Sequence, residues 1–152
     1  VPSKPQIESP ANYQNNSSND HNYKEIDTVP LYGKIAAGTP IEAIRHEGNM
    51  LNLPAGMLGN SEYYALEIDG DSMTGAGIYD GDTVIIDRAA PIRDGDIVVA
   101  LVDDAEVTLK TLKREGGMVL LIPENPAHDI RILEQSRVQF QGKLASLFRR
   151  YH

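Results

Sequence analysis

The sequence has 152 residues, 41% hydrophobic and 24% charged, which suits one soluble globular domain with a core of its own and a tail at one end. It contains no cysteine, so disulfides, thiolate metal sites and a cysteine nucleophile are excluded, and the composition fits a reducing, cytoplasmic setting. Acidic residues outnumber basic ones 22 to 14, and a net charge of -8 makes this stretch by itself a poor ligand for phosphate backbones.

No apolar run approaches the roughly 18 residues that a membrane span needs. The N-terminus is polar and carries no signal peptide, and a chain that begins at Val1 rather than Met reads as a fragment or a processed product. Residues 1–28 are rich in asparagine (Asn12, Asn15, Asn16, Asn19, Asn22), with Pro2, Pro5 and Pro10. Such a segment has too little apolar surface to offset the entropy of ordering it. It reads as a flexible linker or arm, which implies a further domain on its N-terminal side.

Residues 29–152 have a different texture and form the folded domain. Strand-like runs cover 29–35, 63–68, 83–87, 97–102, 106–112, 118–122, 130–133 and 138–148. Turn signals separate them: Asp69-Gly70, Asp80-Gly81-Asp82, Asp94-Gly95-Asp96, Asp103-Asp104, Gly116-Gly117 and the stretch from Pro123 to Pro126. Many short strands with frequent turns predict an all-β fold of mainly antiparallel strands, a folded-over sandwich or barrel. Helix is minimal, with one or two turns over 72–78, broken by Gly75 and Gly77.

Three local features carry chemistry. In Asp69-Gly70-Asp71-Ser72-Met73 a strand ends in a glycine turn, and a serine beyond it can present its hydroxyl to a cleft. Two consecutive backbone N–H groups nearby, those of Asp71 and Ser72, can face a developing oxyanion. The plain alternative is a serine that only builds the turn. A serine nucleophile needs a base. Of the four histidines, His21 lies in the tail and His152 ends the chain, while His46 and His128 sit in polar, loop-like contexts. Lysine is the other choice, provided that burial removes its charge. The run from Glu106 to Lys113 holds two lysines: Lys110, central between Leu109 and Leu112, and Lys113, at the start of a polar segment. Central position favours Lys110, although strict alternation does not decide between them. Third, Ala36-Ala37-Gly38 follows a strand and carries only small side chains, so it can enter a narrow cleft in extended form.

These features occur in the same order in the LexA-type repressors and their relatives, the self-cleaving phage repressors and the UmuD mutagenesis proteins. The sequence resembles that group from Val29 to Tyr151. The resemblance is carried by the segment from Val29 to Gly38, by Gly70-Asp71-Ser72-Met73 with the segment from Gly77 to Asp82, by Val107-Thr108-Leu109-Lys110 and by Ile122-Pro123-Glu124-Asn125. It implies Ser72 as nucleophile, Lys110 as general base, the Asp71 and Ser72 amides as oxyanion donors and Ala37–Gly38 as the bond cut in the chain's own backbone. Ala-Gly points to the repressors rather than to UmuD, whose members carry Cys-Gly there. The linker is longer and richer in asparagine than expected for the best-known repressors.

The resemblance further implies a homodimer, activation by the RecA filament on single-stranded DNA, and operator binding through an N-terminal winged helix-turn-helix domain that residues 1–28 do not resemble. It implies neither cofactor nor metal, and no membrane. The alternative functions are a UmuD-like accessory subunit of a translesion polymerase, a signal peptidase, which needs a membrane anchor, and a dimerisation module whose Ser-Lys pair is idle.

Overall fold

The computed structural model describes residues 26–45 and 48–151. The described residues form ten strands in one sheet. They are β1 (Ile26–Ile35), β2 (Thr39–Pro40), β3 (Met50–Pro54), β4 (Tyr63–Ile68), β5 (Thr83–Asp87), β6 (Ile97–Val102), β7 (Glu106–Glu115), β8 (Met118–Ile122), β9 (Arg131–Glu134) and β10 (Val138–Phe148). Helix is confined, among the described residues, to three single 3-10 turns, so the all-β expectation holds. The spatial order is β3-β1-β4-β5-β10-β6-β7-β8-β9, and β2 pairs with β7 outside that path. Every pairing is antiparallel except that of β1 with β4.

The sheet folds over along β10. Its first half, from Val138, pairs with β6, and its second half, to Phe148, pairs with β5, with register shifts on either side of the change of partner. Gly142 stands at the bend with φ 132°, and a Cβ there would lie 2.6 Å from both the Asp87 carbonyl oxygen and the Ile86 side chain. Only glycine allows that approach and that backbone angle. The fold-over brings both halves of the sheet onto one core, in which Ile35, Leu66, Ile68, Val84 and Ile86 meet Val99, Leu101, Val107 and Leu109. A second cluster, including Val98, Ala100, Leu112 and Leu121, fills the opposite face of β6 to β8. Strand β6 is therefore buried on both sides, which explains its unbroken apolar run.

Two tight hairpins set the registers near the site. Asp103 and Asp104 both take positive φ (53° and 54°) between β6 and β7, and Gly116 and Gly117 do so (58° and 82°) between β7 and β8. The second turn has two residues and the first three, counting Ala105, and turns of this kind match the strand twist and favour these residue types.

Three expectations need adjustment. Strand β1 begins at Ile26, so the boundary drawn after residue 28 falls inside it, and residues 1–25 lie outside the described residues. The helical stretch over 72–78 is one 3-10 turn, Thr74–Ala76, ended by Gly77 in the left-handed region. Strands β2 and β3 escape the sequence reading: β2 is two residues held only by β7, and β3 is a short edge strand that ends in proline.

Candidate active site

The site begins with the one parallel pairing. Ile35 at the end of β1 lies beside Ile68 at the end of β4, and Asp69 N–H donates to the Ile35 carbonyl at 2.9 Å. Both chains thus leave the sheet at the same end. The first continues into Ala36-Ala37-Gly38, the second into Gly70-Asp71-Ser72. From Gly38 the first chain crosses to β7, where Thr39 pairs with Val107 and Pro40 with Glu106. The Ala37–Gly38 bond is held between the edge of β1 and β7.

Lys110 is the cross-strand partner of Val98 and is only 4% exposed. Lys113 is exposed and lies 4.0 Å from Glu115 at the surface. Burial, reinforced by the Arg131 guanidinium and opposed by the Glu106 carboxylate, pushes the Lys110 amine down from its ordinary 10.5 to about 8. Its Nζ donates to Thr108 Oγ1 at 2.7 Å and to the Leu109 carbonyl at 3.0 Å. The Thr108 hydroxyl in turn donates to the Ala37 carbonyl at 2.8 Å. Lys110 and the carbonyl of the Ala37–Gly38 bond are therefore linked through one hydroxyl. On the far side of that bond, a Cβ on Gly38 would lie 2.8 Å from Glu106 Oε2, and Glu106 is paired with Arg131.

Ser72 is half-buried and next to the buried Met73. Its backbone is fixed by the segment that follows β8: Glu124 N–H donates to the Ser72 carbonyl at 2.9 Å, and Gly75 N–H to the Glu124 carbonyl at 2.7 Å. Glu124 also accepts from Thr111 Oγ1 at 2.8 Å, which ties the serine segment to the residue after Lys110. Asp71 accepts from Asn125 Nδ2 on its carbonyl at 2.9 Å, and its carboxylate lies 2.7 Å from His128 Nε2. The His128 contact holds the Asp71 carboxyl below the usual carboxylate range.

Among the described residues no hydrogen bond joins Ser72 Oγ to Lys110 Nζ, and no carbonyl accepts from the Asp71 or Ser72 amide, the Asp71 N–H lying near its own carboxylate. Of the residues singled out from sequence, Lys110 and Ala37 meet through Thr108. Ser72 is anchored to the same end of the sheet but makes no direct contact of this kind. His21, His46 and His152 lie outside the described residues. His128, read from sequence as a loop residue, touches the residue before the candidate nucleophile. Sequence reasoning gave no role to Thr108, Glu124, Asn125 or His128, although the first three lie inside quoted segments. Among the described residues no three His, Asp or Glu side chains converge on a possible metal site, and no helix is long and apolar enough to cross a membrane.

A family model described as peptidase S24-like matches residues 30–145. The chain belongs to that family. Within it, the similarity is to LexA repressors. That of Paramagnetospirillum magneticum is 58% identical over 124 residues, covering 82% of this chain and 53% of the relative. Those of Acidiphilium cryptum and Granulibacter bethesdensis are 56% and 57% identical, over 82% and 81% of this chain and 54% and 51% of the relatives. The chain spans about half the length of these curated relatives. Their names favour the repressor reading over the UmuD-like one.

Proposed function

We propose that this chain is the self-cleaving part of a LexA-type transcriptional repressor of the DNA-damage response, and that it cuts its own Ala37–Gly38 bond with Ser72 as nucleophile and Lys110 as general base. The observation that carries this reading is the buried Lys110 amine, linked through Thr108 to the Ala37 carbonyl. A neutral amine has two N–H groups and one lone pair. With both N–H groups engaged by Thr108 and Leu109, the lone pair is left to receive a proton.

In the reaction, the Ala37 carbonyl leaves Thr108 for the Asp71 and Ser72 amides. Lys110 takes the Ser72 hydroxyl proton as Oγ bonds to the Ala37 carbonyl carbon. The amides stabilise the oxyanion. The Lys110 ammonium then protonates the Gly38 nitrogen as the C–N bond breaks, leaving an Ala37 ester on Ser72. Water then attacks the ester carbon and loses a proton to Lys110, which passes it to Ser72 Oγ as the ester bond breaks and the Ala37 carboxylate is released. Because the bond is tethered beside the base, a modest catalyst suffices.

As a repressor segment the chain acts as a homodimer. The RecA filament on single-stranded DNA favours the docked loop and supplies no catalytic group. Operator contacts come from an N-terminal domain outside residues 1–152. The test is incubation of the purified chain at alkaline pH, with mass spectrometry for fragments that end at Ala37 and start at Gly38. Ser72→Ala and Lys110→Ala are both expected to abolish cleavage. Comparable cleavage by either variant overturns the assignment.

A further inference from the structure

We propose that His128 is a positioning residue for this reaction: by tying down the Asp71 side chain, it holds the Asp71 amide where the oxyanion forms. The inference rests on the self-cleavage reading above and extends it to a residue outside the Ser-Lys pair.

The two amides are not equally fixed. A trans peptide plane points its C=O and its N–H in opposite directions. Asn125 Nδ2 grips the Asp71 carbonyl, so the Ser72 N–H of the same plane has a set direction. The Asp71 N–H belongs to the preceding plane, whose carbonyl, that of Gly70, accepts no hydrogen bond among the described residues. Gly70 has φ 99°, in a region open chiefly to glycine, so this plane follows a pivot of low stiffness. On its N-terminal side Gly70 N–H is held by Asp80 Oδ1 at 2.8 Å. On its C-terminal side the restraint is on Asp71 itself: the carbonyl accepts from Asn125 Nδ2 and from the Thr74 N–H and hydroxyl, and the carboxylate is held by His128 Nε2 at 2.7 Å. Removing the second leaves Asp71 held through its carbonyl alone, with its side chain free to swing and the Gly70–Asp71 plane less restrained.

His128 is built to hold still. Its N–H donates to the Asn125 carbonyl at 3.1 Å, and Ala127 N–H donates to Asn125 Oδ1 at 2.9 Å, a side-chain turn closed across Pro126. Asn125 thus fixes both the Asp71 carbonyl and the base of the histidine that fixes the Asp71 carboxylate. The imidazole is turned to Asp71 and makes no bond to the Ser72 hydroxyl, so it is not placed as a proton acceptor for the nucleophile.

The experiment measures first-order self-cleavage of the full chain at pH 9 in five variants beside the parent. His128→Ala is expected to slow cleavage about tenfold, less than loss of an oxyanion donor itself. His128→Gln places an amide N–H near the Nε2 position and is expected within about twofold of the parent. Asp71→Ala is expected to match His128→Ala, and the double variant to be no slower than Asp71→Ala, because both changes remove the same link. Parent-like cleavage by His128→Ala, additive losses in the double variant, or a Gln variant as slow as the Ala variant each overturns the positioning role, the last by pointing to imidazole chemistry instead. If His128→Ala does not fold, the Gln variant and the Asp71→Ala comparison still decide. Ser72→Ala is the separate control: if it cleaves, the self-cleavage reading fails, whereas an inert Ser72→Ala beside an unaffected His128→Ala sinks only this proposal.

Discussion

The hydroxyl of Thr108 accepts from Lys110 Nζ at 2.7 Å, and its own proton is directed to the Ala37 carbonyl. One small side chain thus orients the proposed base and docks the proposed substrate loop. Thr108→Val keeps shape and volume but removes both bonds. It is expected to slow self-cleavage about tenfold, through the less well oriented Lys110 and the less well docked loop, because the Ala37 carbonyl leaves Thr108 before the oxyanion forms. Thr108→Ser should keep most of the rate. Rates read from fragment masses check both, and a Val variant as fast as the parent would show that the hydroxyl is a bystander.

The Lys110 amine at about pH 8 makes a two-part prediction. The cleavage rate should rise through pH 8 as the neutral amine accumulates, then level off. Stability follows the same group. Between about pH 8 and 10.5 the unfolded chain binds this proton and the folded chain does not, so unfolding becomes less favourable as pH rises through that window. Below it, burying the amine costs the fold on the order of 3 kcal/mol, less whatever its two hydrogen bonds return. Lys110→Met should therefore raise the melting temperature at pH 7 and lose that advantage by pH 10.5, while cleaving at no pH. Thermal melts across pH check the sign, and a Met variant that is less stable at pH 7 contradicts it.

Much of this was legible in the sequence because local pattern and tertiary need agree. The runs at β4, β5, β6, β8 and β10 are read to the residue, since their β-branched and aliphatic content is bounded by Asp-Gly, Gly-Gly and Asp-Asp turns. The choice between Lys110 and Lys113 was not open to alternation alone. It depends on β6 covering β7 as far as Thr111, with Lys110 opposite the buried Val98, while Lys113 lies past the end of that pairing on a stretch that β8 alone accompanies. Thr108 was quoted only as part of a motif, because its hydroxyl gains meaning from β2 returning to β7, a two-residue pairing with no local signal. His128 looked like a loop residue for the same reason: it is 57 residues from Asp71, and only the fold brings them within 2.7 Å.

The bend in β10 predicts a large penalty for a single methyl group. Gly142→Ala would place Cβ 2.6 Å from the Asp87 carbonyl oxygen, at φ 132°. Backbone, not a flexible side-chain tip, is in the way, so either β5 or β10 must shift. The expected loss is about 3 kcal/mol or more in chemical denaturation, combining overpacking with backbone strain. Since β10 joins the two halves of the sheet, the site should weaken with it. An Ala variant within about 1 kcal/mol of the parent would mean that the bend relaxes easily.

Asp82 carries the last prediction. Its carboxylate is buried, with a side chain 2% exposed, yet it is fully partnered: Arg149 Nε and a second guanidinium nitrogen donate at 2.7 Å each, and Tyr79 N–H donates at 2.7 Å. Arg149 also donates to the Gly77 carbonyl at 2.8 Å and stacks over the Tyr79 ring. The C-terminal segment is thereby clasped to the turn that follows Ser72. Asp82→Ala leaves a guanidinium and a backbone N–H without their acceptor, at an expected cost of about 2–3 kcal/mol, discounted because Arg149 is partly exposed. The Arg149 hydrogen bonds hold the Asp82 carboxyl below its ordinary 3.8. A depressed folded-state value gives stability that is present above the unfolded value and lost as pH falls through the folded one. In acid melts, then, the stability gap between the parent and Asp82→Asn should be constant above about pH 5 and shrink below about pH 4. A gap that stays constant down to pH 2 would place the origin of the effect in packing rather than in the charge of this carboxylate.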